Sequence, residues 1–515
     1  MTPQDIEQLS NYHGMTPEPA GFDEFWAARM AEADAVPLEW EVTPSEIPAY
    51  ATCDFLDLWF RGVRGERLHA KFLRPVSDDP IPLVLQFHGY PGASRSWFEQ
   101  CSFVGMGMAL IALDNPGQGG PSVDVGGGYV GTTVAGHLVA GLDGDPADLY
   151  YVRLYQNVRV LCRIVRELPG IDLARVYVNG ASQGGGMGIA CAALNPDLVA
   201  RACILYPFLS DMRCVHELDL DVEAYEGIGY YSRWFDPDGT REDEWFGKLA
   251  HYETNQLAKW VRCPVLFGTG LEDTVVPPQS QCATYNALSC EKERHLYPGF
   301  GHEEIQDFDD LIIDFLDGRV ARYEGLEVVS ADGCRLCAMH VAPAGEGPRP
   351  VVLMFHDCTR PARGWHHITR YVALGYEVLQ VENRPGAGPD ALAASVPDAL
   401  AGFDLAASLP QADPSRIVAF GEGFGGALAL AVAAARPVWR AVALNPWPAL
   451  ELVEDASRIA CPVLMGTGHL DVLSAPSQQD ALAARIHDLV RKVYPKYAHE
   501  RINAFENEFL AFIHD

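Results

Sequence analysis

The sequence predicts an α/β protein made of two tandem domains, each with a mostly parallel sheet, and three observations lead to this fold class. Short apolar segments alternate along the chain with helical stretches of about a dozen residues. These apolar segments are continuous rather than alternating, which is typical of strands buried on both faces of a parallel sheet. The later part of the chain also repeats the landmarks of the earlier part in the same order, which indicates two copies of one fold.

The strands of the first copy are predicted at PLVLQFH (82–88), ALIALD (109–114), RVYVNG (175–180) and CPVLFGTG (263–270). An amphipathic helix is predicted between the second and third of these strands, at 152–168. Because strands and helices alternate, the connections are expected to be right-handed crossovers that cover the sheet with helices.

Matched segments define the repeat. VRCPVLFGTGLEDTVVPPQSQ (261–281) corresponds to IACPVLMGTGHLDVLSAPSQQ (459–479), and both are followed by a YP…HE segment. Upstream, PLVLQFHGYPGASRSW corresponds to PVVLMFHDCTRPARGW, and RVYVNGASQGGGMGIA corresponds to RIVAFGEGFGGALALA. We therefore predict one domain at residues 1–318 and a second at 319–515.

The two copies differ in one connection. Pro207 and Cys263 of the first copy are 56 positions apart, whereas Pro446 and Cys461 of the second are 15 positions apart. The additional residues, about 208–260, are rich in Tyr, Trp and Phe. We predict that they form a cap that walls a pocket and excludes water from it.

Composition excludes several classes of partner. Lys and Arg total 38 against 69 Asp and Glu, so the formal net charge is −31. This balance argues against nucleic acid, because binding to a phosphate backbone needs a basic surface. The N-terminal stretch lacks the features of a secretory signal, and no apolar run is long enough to span a bilayer. Together with thirteen scattered cysteines, these features predict a cytoplasmic protein without membrane association.

A strand, a glycine-rich turn and a helix of small residues surround Ser182. The stretch Gly180-Ala181-Ser182-Gln183-Gly184 matches the pattern G-x-S-x-G. In such a turn the serine is held in a strained conformation, and the flanking glycines allow the backbone to pack closely. The hydroxyl then projects at the carboxyl edge of the sheet, so the context favours a nucleophile over a simple helix cap.

An acid and a base follow the serine in the order that this motif requires. Asp273 follows the strand CPVLFGTG, and His302 lies before a closing helix. A buried acid would fix the tautomer of the histidine, which would take the serine proton and later return it to the leaving alcohol. Glu272 is the main alternative acid, but the second copy has Asp471 and no glutamate at the matching positions. This favours Asp273.

An oxyanion hole requires donors aimed at the negative charge that develops. One donor is expected from the backbone N–H of Gln183, directly after the nucleophile. The second is expected from the loop after PLVLQFHGYPG, at the N–H of Tyr90. His88 is assigned a structural role in that loop, because His302 already supplies the base.

The second copy has an acid and a base, Asp471 and His499, but Gly423 stands at the nucleophile position. Without an attacking hydroxyl, a covalent acyl mechanism cannot operate there. Cys358, in the loop that matches Tyr90, is an alternative nucleophile, disfavoured by its apolar flanks. The second domain is therefore predicted to lack both activity and cap.

With these segments in view, residues 15–318 resemble the acetylxylan esterase and cephalosporin-C deacetylase family, carbohydrate esterase family seven of the α/β-hydrolase fold. The resemblance rests on GFDEFWAARM, FHGYPG, GASQGG, YPFLSDMRCVHEL, YEGIGYYSRWF, CPVLFGTGLEDTVVPP and GFGHE. It implies a triad of Ser182, Asp273 and His302, with Tyr90 and Gln183 as oxyanion donors. One departure is that the family's Arg-Gly-Gln motif is Pro116-Gly117-Gln118 in this chain. The loss of the arginine bears on the identity of the substrate more than on the hydrolase chemistry.

The predicted function is therefore a serine esterase that deacetylates small acetylated substrates such as acetylated sugars, through an acyl-Ser182 intermediate and without metal or cofactor. The resemblance also implies ring-like homo-oligomers. One alternative is a peptidase, lipase or thioesterase-like hydrolase with the same triad. An alternative of another class is a binding or scaffold protein in which both copies are purely structural.

Overall fold

A computed structural model describes residues 1–125, 136–316, 323–343, 345, 347–359 and 364–514. The chain divides into two compact units, and the predicted boundary at 318/319 lies outside the described residues. Unit 1 comprises Met1–Ser45, Phe55–Arg95 and Met108–Gly318, and unit 2 comprises Glu46–Asp54, Ser96–Gly107 and Arg319–Asp515. Two short N-terminal segments thus group with unit 2, which the linear order of the repeat did not predict.

The first sheet has nine strands in the order β1-β2-β3-β5-β4-β6-β7-β8-β9. The pairs β1–β2 and β3–β5 are antiparallel, whereas the strands from β5 to β9 pair in parallel. The strands are β1 (Trp40–Pro44), β2 (Cys53–Arg61), β3 (Arg67–Pro75), β4 (Ile81–Phe87), β5 (Ala109–Asp114), β6 (Ile171–Ala181), β7 (Val199–Leu205), β8 (Val265–Gly270) and β9 (Lys292–Tyr297).

Helices precede β1, connect the strands from β4 to β9 and follow β9, which fits the predicted alternation from β4 onward. They are α1 (Pro3–Gln8), α2 (Phe22–Ala35), α3 (Trp97–Gly105), α4 (Tyr150–Val165), α5 (Gln183–Leu194), α6 (Met212–Glu217), α7 (Glu226–Phe235), α8 (Glu242–Leu249), α9 (Thr254–Leu257), α10 (Pro278–Ala287) and α11 (Gln306–Phe315). Within this set, α3 belongs to unit 2.

The second sheet has eight strands in the order β10-β11-β13-β12-β14-β15-β16-β17, and only β10–β11 and β11–β13 are antiparallel among its described pairs. Its strands are β10 (Tyr323–Val329), β11 (Arg335–Val341), β12 (Arg349–Phe355), β13 (Glu377–Val381), β14 (Ala412–Glu422), β15 (Arg440–Leu444), β16 (Val463–Gly468) and β17 (Leu489–Tyr494). Its helices are α12 (Trp365–Ala373), α13 (Leu392–Ser408), α14 (Phe424–Ala435), α15 (Pro476–Ala483) and α16 (Asn503–Ile513).

Each unit has its own hydrophobic core. In the central strands β5, β8, β13 and β16 every residue is buried, because helices cover both faces of a parallel sheet. The predicted α/β class with two mostly parallel sheets is confirmed. The antiparallel strands at one edge of each sheet are an addition that the motif analysis did not contain.

The connection between β7 and β8 in unit 1 contains the four helices α6 to α9, whereas β15 and β16 in unit 2 are joined through short 3-10 turns only. This is the stretch in which the sequence predicts a cap. Among the described residues, no helix is both long and apolar enough to cross a membrane.

Candidate active site

Ser182 lies at the sharp turn between β6 and α5, with φ 57° and ψ −126°. Its N–H donates to the carbonyl of Leu205 at 3.1 Å, which ties the turn to the neighbouring strand β7. A Cβ at Gly180 would lie 2.2 Å from the carbonyl oxygen of Gly184, and one at Gly184 would lie 2.0 Å from that of Phe87. The two glycines of the motif are therefore needed because the backbones come too close for any side chain.

His302 and Asp273 complete a hydrogen-bonded chain with this serine. The Nε2 atom of His302 lies 3.0 Å from Oγ of Ser182, and Nδ1 lies 2.8 Å from Oδ2 of Asp273. The side chain of Asp273 is fully buried, while that of His302 is 20% exposed. The imidazole thus pairs with Asp273, whereas Glu272, the alternative acid, is exposed. The structure thus brings together the three side chains that the sequence predicts.

The loop after β8 fixes the acid. Oδ1 of Asp273 accepts hydrogen bonds from the backbone N–H groups of Val275 and Val276 at 2.9 and 2.8 Å. The side-chain amide of Gln281 is 3.4 Å from Oδ2, the oxygen that faces the histidine. These donors fix the orientation of the carboxyl group and leave Oδ2 aimed at the imidazole.

Tyr206 supports the base, and the sequence analysis did not identify it. Its ring packs against the imidazole of His302, with centroids 4.5 Å apart. Its hydroxyl donates to the carbonyl of Glu303, the next residue along the chain, at 2.7 Å. This orientation goes with a positive φ of 32° at Tyr206, a value that is rare for residues other than glycine. The only sequence signal for Tyr206 was its place in the segment YPF, two positions before Phe208.

The side chain of Gln183 braces the loop that follows β4. Its Nε2 donates to the carbonyls of His88 and Gly89 at 3.2 and 3.3 Å. Nε2 of His88 accepts from the N–H of Asn115 at 3.1 Å, so Nδ1 carries the proton and donates to Gly89 at 2.8 Å. Burial lowers the pKa of His88, consistent with this neutral ring.

The held carbonyl of Gly89 decides where the next N–H points. A trans peptide directs its N–H opposite to its C=O, and the peptide between Gly89 and Tyr90 is not among the cis bonds of the described chain. The N–H of Tyr90 therefore points away from the Gln183 side chain. Gln183 itself begins α5, and its N–H belongs to the first turn, where no intrahelical acceptor exists.

Further polar groups hold the Gln183 side chain. Its amide forms a reciprocal pair with that of Gln118, at 2.8 and 2.9 Å, and its Oε1 also accepts from the hydroxyl of Tyr151 at 2.7 Å. At the position of the family's arginine, the carbonyl of Pro116 accepts from the hydroxyl of Tyr150 at 2.8 Å. Gln118 thus acts as a buried brace, which the sequence left undecided.

Aromatic side chains link the loop after β4 to the stretch predicted as a cap. Tyr90 stacks on Phe208 at 5.9 Å, and Phe208 packs edge-on against Tyr225 at 4.5 Å. The hydroxyl of Tyr90 is 3.1 Å from Nδ1 of His137. Burial lowers the pKa of His137 to about 4, so this imidazole is neutral at pH 7.

Unit 2 repeats part of this arrangement. Nδ1 of His499 lies 2.8 Å from Oδ2 of Asp471, and Gly423 occupies the turn with φ 53° and ψ −121°. Nε2 of His499 meets Asp357, a residue absent from the predicted site, at 3.2 Å. Burial raises the pKa of Cys358 to about 11, so its thiol stays protonated at neutral pH.

The fold and the Ser–His–Asp geometry of unit 1 define an α/β hydrolase. The acetyl xylan esterase (AXE1) family profile matches residues 1–319, and the chain belongs to this family. The resemblance predicted from the sequence is therefore confirmed. Residues 389–509 in unit 2 match the dienelactone hydrolase family.

Individual relatives agree with the family assignment. The acetyl esterase Axe7A of Xylanibacter ruminicola is 27% identical over 305 residues, which are 55% of this chain and 63% of that protein. The chain thus spans less than two thirds of this curated relative. Acetyl xylan esterase 1 of a Thermoanaerobacterium species is 39% identical with a TM-score of 0.58, covering 61% of this chain and 98% of that one. A Paenibacillus acetyl xylan esterase is 27% identical with a TM-score of 0.57, covering 62% and 99%.

Proposed function

We propose that this protein is a serine ester hydrolase that removes acetyl groups from acetylated sugars. The esterase domain is residues 1–318, with residues 208–260 as its cap, and residues 319–515 form an inactive domain. The observation that carries the proposal is the hydrogen-bonded chain from Ser182 through His302 to Asp273. Membership of the acetyl xylan esterase family supports the choice of substrate class.

The geometry supports a two-step acyl transfer. Oγ of Ser182 attacks the ester carbonyl carbon while Nε2 of His302, 3.0 Å away, accepts its proton. The N–H groups of Tyr90 and Gln183 bind the oxyanion of the tetrahedral intermediate. His302 then protonates the leaving sugar alcohol, which leaves an acetyl group on the serine.

The second step hydrolyses the acetyl-serine, with water in the place of the alcohol. His302 removes the proton of this water, and the resulting hydroxide attacks the acetyl carbonyl. Asp273 stays ionised throughout and stabilises the imidazolium that forms in each step. Acetate leaves as the serine regains its proton.

The braced loop explains how the oxyanion donors stay in position. The Gln183 side chain and His88 hold the Gly89 carbonyl, and this fixes the direction of the Tyr90 N–H before substrate binds. Donors fixed in advance need no reorganisation when charge develops, which is the main source of their effect on rate.

A panel of esters tests the substrate class. Purified full-length protein is assayed with acetylated xylose and xylo-oligosaccharides, cephalosporin C, and acetyl, butyryl and octanoyl esters of one alcohol. We expect turnover of acetylated sugars and at least a ten-fold preference for acetyl over butyryl, because a closed acyl pocket penalises added methylenes by about 1–3 kcal/mol.

Other outcomes favour other functions. Preference for octanoyl esters would indicate a lipase, and hydrolysis of acyl thioesters or peptides in place of sugar acetates would indicate a thioesterase or a peptidase. Absence of any turnover, together with no reaction of Ser182 with a fluorophosphonate, would leave a binding or scaffold protein.

We also infer a reducing, cytoplasmic location. All thirteen cysteines are free thiols, and most are buried.

Homo-oligomerisation stays a prediction of the family resemblance, and the mass of the purified protein in light scattering tests it.

A further inference from the structure

Unit 2 contains an acid–base pair in the geometry of unit 1, but a carboxylate stands in place of the nucleophile. Asp471 and His499 are 2.8 Å apart, the same separation as in the unit 1 pair. Where unit 1 has a serine hydroxyl against the imidazole, unit 2 has Oδ2 of Asp357, 3.2 Å from Nε2 of His499. The two sites therefore differ in the group that contacts Nε2 of the histidine.

Asp357 also reaches the start of the helix. Its Oδ1 accepts from the backbone N–H of Phe424 at 3.3 Å, and Phe424 corresponds to Gln183, the predicted oxyanion donor of unit 1. The hydroxyl of Thr359 donates to Oδ2 at 2.7 Å. One buried carboxylate thus occupies both groups that would serve the reaction, the base and the helix N-terminus.

Charge keeps this arrangement in place. Burial alone would raise the pKa of Asp357, but hydrogen bonds from His499 and Thr359 lower it to about 2. Burial alone would lower the pKa of His499, but its bonds to Asp357 and Asp471 raise it to about 9. At neutral pH Asp357 is therefore a carboxylate and His499 an imidazolium, and together with Asp471 at Nδ1 of the ring they form a charged cluster.

The absence of a side chain at residue 423 follows from this cluster. The turn has nearly the conformation of Ser182 in unit 1, so a serine is geometrically compatible with it. A Cβ on Gly423, however, would lie 2.5 Å from the carboxyl carbon of Asp357. In unit 1 the residue that corresponds to Asp357 is Gly89, which has no side chain to obstruct the serine.

We propose that unit 2 is a closed acyl-transfer site, in which Asp357 replaces the nucleophile and holds the base and the helix N-terminus occupied. The residues at 357 and 423 act as a coupled pair, Asp with Gly in unit 2 and Gly with Ser in unit 1. Exchanging both residues of the pair reopens the site, and exchanging either residue alone does not.

The chemistry of the reopened site is that of unit 1. Without Asp357, one of the two aspartates that raise the pKa of His499 is gone and Nε2 no longer faces a carboxylate, so the neutral imidazole accepts a proton there. With a fluorophosphonate probe, the introduced serine oxygen attacks phosphorus, a P–O bond forms and the P–F bond breaks. Fluoride leaves, and the hydroxyl proton passes to Nε2 of His499.

The experiment uses the full chain carrying Ser182→Ala, so that unit 1 cannot react. Four proteins are compared: this background, and the background with Gly423→Ser, with Asp357→Gly, or with both. Each is incubated with a fluorophosphonate probe, and peptide mass spectrometry locates the adduct. We expect labelling at position 423 in the doubly exchanged protein, roughly 10²-fold faster than with Gly423→Ser alone, because the single variant has neither a free base nor a free donor.

A second pair of variants measures the steric coupling without chemistry. Gly423→Ala adds the Cβ but no hydroxyl, and it is compared in thermal unfolding with and without Asp357→Gly. We expect Gly423→Ala to lower the melting temperature more when Asp357 is present than when it is replaced, with no labelling in either protein.

Three results would overturn the proposal. One is a folded double variant that does not react with the probe. Another is labelling of Gly423→Ser alone as fast as that of the double variant. The third is loss of the folded state in the double variant, because the proposal holds that the pair found in unit 1 fits unit 2.

Discussion

The two sites share a scaffold, and the pair Gly89 and Ser182 of unit 1 is replaced by Asp357 and Gly423 in unit 2. Both have the same strand–turn–helix, with φ of 57° at Ser182 and 53° at Gly423. Both have an acid 2.8 Å from a histidine. The strained turn is therefore a property of the fold rather than of the chemistry, and its presence alone does not indicate a catalytic residue.

The loop after the strand, β4 in unit 1 and β12 in unit 2, is supported by a histidine in both units. Nε2 of His88 accepts from the N–H of Asn115 in unit 1, and Nε2 of His356 accepts from the N–H of Asn383 in unit 2. At the tip of the loop, however, unit 1 has Gly89 and unit 2 has Asp357. The two units therefore differ at the tip of this loop, while the imidazole before it accepts the same kind of backbone hydrogen bond in both.

The largest expected effect separates the two candidate nucleophiles. Ser182→Ala should lower kcat for an acetyl ester by about 10⁴-fold or more, because covalent acyl transfer is lost and only binding and oxyanion stabilisation remain. Cys358→Ala should leave kcat within the error of the assay, since the protonated thiol is a poor nucleophile. A larger loss in the cysteine variant than in the serine variant would reverse the roles of the two units.

Replacing Asp273 is expected to lower turnover, whereas replacing Asp471 is expected to lower stability. Asp273→Asn should lower kcat by roughly 10³- to 10⁴-fold, because the amide holds the imidazole in the wrong tautomer. Asp471→Asn should instead appear mainly as lost stability of about 1–3 kcal/mol in denaturant unfolding, since it removes one of the two aspartates that contact the imidazolium of His499. Equal loss of turnover in both variants would mean that unit 2 contributes to catalysis.

The charged cluster of unit 2 predicts a pH dependence of stability. The raised pKa of His499, about 9, gives stabilisation that is complete below its unfolded pKa of about 6.5 and is lost as the pH rises through 9. The lowered pKa of Asp357, about 2, gives stabilisation that is present above about 3.9 and is lost as the pH falls through 2.

Asp357→Asn should therefore destabilise the protein most between about pH 4 and 6.5, by on the order of 3 kcal/mol, with a smaller difference toward pH 9. Thermal unfolding of wild type and variant across this range measures it. A difference that stays constant with pH would mean that the cluster acts through shape rather than charge.

The smallest expected effect concerns Tyr206, for which unit 2 has Asn445. Tyr206→Phe removes the hydrogen bond to the Glu303 carbonyl, which is worth about 1 kcal/mol, and should lower kcat by about five-fold while leaving KM nearly unchanged. The matched control is Tyr155→Phe, which removes a tyrosine bond to the carbonyl of Tyr252. If both variants lost activity equally, Tyr206 would be a general structural residue and not a support of the base.

The sequence by itself determined the α/β class, the duplication, and the identity of three side chains that the structure brings within hydrogen-bonding distance. This was predictable from the order of the motifs. The three side chains meet because each lies in a loop after a parallel strand, β6, β8 or β9, and the carboxyl ends of such strands lie at one edge of the sheet. The antiparallel edge strands and the grouping of segments 46–54 and 96–107 with unit 2 were not predicted, because they depend on packing rather than on local pattern.

Only the tertiary structure decided why Gly423 stands where a serine would fit. From the sequence, Gly423 was interpreted as the position of a missing nucleophile. In the structure, the absence of a side chain at Gly423 leaves space for the carboxyl group of Asp357. Asp357 and His499 are 142 positions apart, and no local pattern connects them. A contact of this kind arises from folding of the whole unit, because side chains distant in sequence meet only when the strands that carry them lie in one sheet.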